Sequence, residues 1–150
     1  MQDFLSQLGM NRILGVTLLA WFVAQVLKVI LGVFRERRFN FKWFVGTGGM
    51  PSSHAASVAS LATSVGCVSG FDSAVFAATS VVALVVMFDA QGVRRASGKQ
   101  AGVLNKIIDD IYRNRGIRED RLKELLGHTP VEVIAGAFLG IFLSLLFFTI

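Results

Sequence analysis

Cysteine, proline and histidine are all scarce in this 150-residue chain, at one, two and two residues. The lone Cys67 leaves no intramolecular disulfide framework to hold a fold together. With no internal repeat, no low-complexity tract and so few prolines, nothing divides the chain, and its length fits one domain over residues 1–150. No basic cluster precedes the first apolar run, which is too long for the core of a cleavable signal, so that run is expected to remain as an anchor. No nucleic-acid partner is expected.

Apolar residues are abundant: 53% of the chain, with a mean hydropathy of +0.61. That is high for a soluble domain of this size. They gather in stretches near the roughly 20 residues that cross about 30 Å of hydrocarbon as helix. Residues 10–34, 73–90 and 131–150 read as spanning helices. Residues 51–69 are crowded with Ser, Ala and Thr and would gain little from facing lipid. They fit the inside of a bundle, where small residues let backbones approach closely, with a re-entrant or surface helix as the alternative. The expected fold is an all-α integral-membrane bundle of four transmembrane helices. Residues 91–130 would form a basic cytoplasmic loop folded as a helical hairpin. Ala101, Leu104, Ile107, Ile108 and Ile111 recur at helical spacing there, as do Leu122, Leu125 and Leu126, with Asn114, Arg115 and Gly116 as the turn. The acids of that loop read as a solvated face.

Thirteen of the fifteen Lys and Arg residues fall between the first and second spans or between the third and fourth. Four spans put both segments on one side, and the excess of positive charge makes that side cytoplasmic, with both termini outside. Both histidines, His54 and His128, then open onto the cytoplasmic face.

Histidine exchanges protons near neutrality and can act as a nucleophile, so two of them at the polar ends of apolar segments suggest paired chemistry. Lys28 lies inside an apolar span, where a charge is costly, and Arg35 follows it by about two helical turns on the same face. Together they could present cations to an anion; taken alone, the pair reads as a snorkelling lysine and a nonspecific lipid-binding arginine. Gly48 to His54 joins glycines, Pro51, Ser52 and Ser53 at a helix start, an anion-binding arrangement that is also a capped turn. His128 and Glu132 are four apart, so the carboxylate can orient the ring; Thr129 to Glu132 also reads as a capping box, which competes for the same side chain. Gly136 and Gly140 continue that row and suit close packing within the bundle or a homodimer seam. Arg94 and Arg95 follow Asp89 at the end of the third span and suit bidentate phosphate binding, or are an ordinary positive flank.

Lys28 and Arg35, then Pro51-Ser52-Ser53-His54, then His128 with Glu132, resemble the three motifs of the type 2 phosphatidic acid phosphatase superfamily. Gly49 to His54, Asp89 to Arg95 and Gly127 to Pro130 are more similar to its divergent four-helix branch of bacterial and plant membrane proteins. The resemblance implies a membrane-lipid phosphatase, in a bacterial inner membrane, acting on a phosphorylated lipid substrate with no metal or cofactor. His128 would attack phosphorus, Glu132 would orient it, and His54 would protonate the leaving oxygen. Lys28, Arg35, Ser52, Ser53 and Arg94 or Arg95 would hold the phosphoryl oxygens.

Three positions depart from the pattern: Glu36 stands in place of a proline, Ser53 in place of a glycine, and Leu122 where an arginine is usual. They bear on activity more than on fold. The alternative function is a catalytically inactive membrane protein that binds anionic lipid headgroups in a retained phosphate pocket. A haloperoxidase role does not fit, since those relatives are soluble.

Overall fold

The computed structural model describes residues 2–37, 49–112 and 127–150, and every regular element among them is a helix. In order these are α1 (Gln2–Gly9), α2 (Arg12–Glu36), α3 (Ser53–Ser69), α4 (Ala74–Gln91), α5 (Val93–Tyr112) and α6 (Pro130–Thr149). Four of them start on a capping side chain held in extended backbone: Asn11 for α2, Ser52 for α3, Ser73 for α4 and Thr129 for α6. Each oxygen accepts an N–H that the first turn leaves without a helical partner.

Three helices are long and apolar enough to cross a membrane: α2 over Arg12–Phe34, α4 and α6. Their outward faces carry large apolar side chains, such as Leu18, Val85, Phe88 and Phe138. The 17-residue α3 differs in kind. It packs against α2, α4 and α6, and ten of its residues, almost all Ser, Ala, Thr or Gly, are buried. Its modest apolarity is the composition of a helix surrounded by protein, where closeness of approach matters more than oiliness.

The tightest contact joins α3 and α6, which run in parallel. A Cβ placed on Gly136 would fall on the Ser52 carbonyl oxygen, and one on Gly140 would fall on the Ala56 carbonyl oxygen and lie 2.9 Å from the Ser60 nitrogen. Farther along, the Ser60 and Ser144 hydroxyls are 2.8 Å apart, and Ser64 donates to Ser144 at 3.1 Å. Ser144 also donates to the Ser60 carbonyl at 3.1 Å. Facing residues are 84 positions apart throughout: 52 with 136, 56 with 140, 60 with 144. The two glycines therefore serve packing between α6 and α3.

Two elements differ from the sequence expectation. Residues 2–9, outside any expected span, form a separate helix that ends just before the cap at Asn11. The first limb of the expected hairpin is helical, but it starts earlier than its apolar spacing indicates: only Gly92 separates α4 from α5, a helix of 20 residues. The turn and second limb of the expected hairpin lie outside the described residues.

Candidate functional site

At one end of the bundle, the starts of α3 and α6 meet the end of α4. Gly127, at φ 101°, takes a left-handed conformation open to glycine and directs the chain into His128. The His128 N–H then donates to the Ala90 carbonyl on α4 at 2.9 Å, while the Ser52 N–H donates to the Glu132 carbonyl at 2.9 Å. Backbone bonds thus tie the His128 segment to α4 and the start of α6 to the start of α3 before any side chain is considered.

The His128 side chain is only 2% exposed. Its Nδ1 lies 3.2 Å from Oε2 of Glu132. A carboxylate only accepts, so Nδ1 carries the hydrogen, and in the neutral ring Nε2 is the nitrogen with a lone pair. The same Oε2 accepts the Thr129 N–H at 3.0 Å, and Thr129 Oγ1 accepts the Glu132 N–H at 3.4 Å. The sequence sets capping and ring orientation in competition for Glu132; in the structure one oxygen is within hydrogen-bond distance of both donors. The His54 ring stands 5.9 Å from the His128 ring between centroids, at 61°, edge toward face.

Lys28 is buried beside this end of the bundle, with Nζ donating to Gln25 Oε1 at 2.7 Å. The Glu132 carboxylate lies within electrostatic reach of it. Gly49, at φ 89°, passes the lysine stem so closely that a Cβ there would be 3.2 Å from Lys28 Cγ. Ser52 Oγ accepts the Ala55 N–H at 3.3 Å, so this serine caps α3, as one of the two sequence readings has it. Ser53 opens the helix and is buried.

A family model for the Divergent PAP2 family matches residues 9–143. The chain belongs to that family. A relative described as the uncharacterized membrane protein YuiD of Bacillus subtilis (strain 168) is 42% identical over 140 residues, covering 86% of this chain and 89% of the relative. No solved structure matches the chain.

Of the positions that carried the family resemblance, His54, His128, Glu132, Lys28, Ser52 and Ser53 all fall at this one end of the bundle. Arg35 lies in the last turns of α2, and Arg94 and Arg95 begin α5, four and five residues beyond the Ala90 carbonyl that holds His128. The side chains of these three arginines are outside the described ones, as are Leu122 and Arg121.

Two contributors escape the motif reading. Gln25 was visible only as a polar interruption of the first span; its spacing of three from Lys28 was the available signal. The Ala90 carbonyl carries no side-chain signal at all.

Proposed function

We propose that this protein is a membrane phosphatase hydrolysing a lipid phosphate or pyrophosphate through a phosphohistidine. The observation that carries this reading is the His128 ring, fixed at Nδ1 by Glu132 and faced by the ring of His54. Nε2 of His128 attacks phosphorus, forming an N–P bond as the bond from phosphorus to the leaving oxygen breaks. His54 delivers a proton to that oxygen. Water then attacks the phosphohistidine, giving its proton to His54, and inorganic phosphate leaves with Nε2 restored.

Charge stabilisation falls to the surrounding groups. Phosphoryl transfer depends mainly on positioning and on neutralising the equatorial oxygens. Lys28 supplies a cation whose stem is fixed by packing against Gly49. The first turn of α3, opening at Ser53, supplies helix-end N–H groups. Arg35, Arg94 and Arg95 stand at chain positions suited to the remaining charge, with Arg94 or Arg95 replacing the arginine missing at Leu122.

We further propose that α3 is a fourth crossing, shielded from lipid by the other three. Basic residues then place the histidine end in the cytoplasm and both termini outside, in a bacterial inner membrane.

The test is phosphate release from a panel of lipid phosphates by detergent-purified protein in the presence of EDTA. Release that resists EDTA, is blocked by vanadate and vanishes in a folded His128→Ala variant is the expected result. A fully active His128→Ala protein would overturn the mechanism. Phosphatidate binding without turnover would replace it with the headgroup-binding role.

A further inference from the structure

A second feature lies against the histidine end but belongs to none of its chemistry. Between α4 and α6, on the outer side of the bundle, is a groove of about 320 Å³. Its origin is the packing just described. The small residues of α3 draw α6 in closely, and α4 packs on the other flank of α3, so α4 and α6 diverge and touch each other little. Leu84, Met87, Val133, Ala137 and Ile141 line it, and Gln91 is its polar residue.

The groove adjoins the site at one end. Gln91 follows Ala90, whose carbonyl holds the His128 N–H, and Val133 follows Glu132. Buried Ala55, Ala90 and Val133, with Met87 packed on them, form an apolar cluster where groove and site adjoin. From Val133 to Ile141 the groove follows α6 for about 12 Å into the membrane-spanning segment. Its volume equals about ten waters of bulk liquid, room for one alkyl segment and too little for a pair.

We propose that this groove holds a single alkyl chain of the lipid whose phosphate occupies the His54–His128 site. The inference rests on the phosphatase reading of that site and adds where the rest of the substrate lies. Bilayer hydrocarbon is as apolar as the groove, so a chain gains little by leaving lipid to enter it. Only a headgroup tethered at the histidine end would hold one there. Occupancy should therefore depend on the phosphate, which an incidental furrow filled by bulk lipid would not show.

The experiment uses full-length protein in bilayers with a photoactivatable alkylphosphonate, which cannot be hydrolysed, and the matching uncharged alcohol. The reactive group sits mid-chain, and attachment sites are mapped by mass spectrometry. The phosphonate is expected to label residues 84–91 and 133–141 several-fold more than the alcohol does. Ala137→Trp, filling the floor, should abolish that preference, and Leu18→Trp on the outward face of α2 should leave it intact. Ile141→Trp, at the more open far end, serves if Ala137→Trp does not fold. Equal labelling by the two probes, labelling of α2 to the same extent, or indifference to both groove variants would overturn the proposal. The two readings fail separately. His128-dependent phosphate release without phosphonate-directed labelling removes the groove and keeps the phosphatase. Phosphonate-directed labelling without turnover keeps the groove and removes the phosphatase.

Discussion

Oε2 of Glu132 lies 3.2 Å from Nδ1 of His128 while also accepting the Thr129 N–H. Helix capping and ring orientation are thus one structural act, and a substitution can separate them. Glu132→Gln keeps an oxygen for the cap but loses the charge, so its melting temperature in detergent should change little. Its phosphate release should fall roughly 100-fold or more, as expected when a catalytic histidine loses its orienting carboxylate. Glu132→Ala should lose the same activity and also about 1 kcal/mol of stability. Equal activity in wild type and Glu132→Gln would show that the carboxylate only caps.

The two histidines should be distinguishable by leaving group. His54 donates the proton that an alkoxide needs, whereas a nitrophenolate leaves without one. His54→Ala should therefore turn over alkyl phosphates very slowly yet still react with a nitrophenyl phosphate. If His54 also activates water, an acid-labile, base-stable phosphoenzyme should accumulate. His128→Ala should form none with either substrate. A phosphoenzyme in His128→Ala would move the nucleophile elsewhere.

Lys28 is held through both its stem and its tip, against Gly49 and Gln25. Lys28→Met preserves the stem and removes the charge. The variant should fold as well as wild type, because a buried cation is costly to keep. Its inhibition by inorganic phosphate or vanadate should weaken by at least tenfold, read from inhibition curves. Unchanged inhibition would leave the ammonium without a role in anion binding.

The glycines separate by environment. Gly140→Ala sets a Cβ against backbone atoms of Ala56 and Ser60, which cannot swing aside, and should cost about 1–3 kcal/mol. Gly15, in α2, has nothing within 4 Å of its Cβ position. Gly15→Ala should stabilise the helix by about 0.5–1 kcal/mol. Reversible unfolding in mixed micelles would measure both, and a harmless Gly140→Ala would contradict the close approach of α3 and α6.

The helix pattern was legible because apolar runs and capping residues are local: Asn11, Ser52, Ser73 and Thr129 mark starts that fall within a residue or two of expectation. The weakness of 51–69 as a span was legible too, and it reflects enclosure. Of the candidate site, the residues themselves were legible, since Lys28, His54, His128 and Glu132 stand out by type and place, and all four fall at one end of the bundle. What joins them was not. The His128 N–H bond to Ala90 and the 84-residue pairing of α3 with α6 are backbone relations between distant segments, and no side-chain pattern encodes them. Glu132 was ambiguous because spacing does not tell whether one oxygen can serve two donors.

The two glycines of α6 also act as an index. Only Gly136 and Gly140 can sit over the carbonyls of Ser52 and Ala56. Were α6 to slip by one turn, about 5.4 Å, in one direction, Glu132 would bring a Cβ onto the Ser52 oxygen. A slip in the other direction would bring Ser144 onto that of Ala56. Neither neighbouring notch is open, so the one-turn ratcheting available to some packed helices is barred here. The spacing of the two imidazoles is thereby gauged by two missing methyl groups, one over Ser52 at the histidine end and one a turn deeper over Ala56.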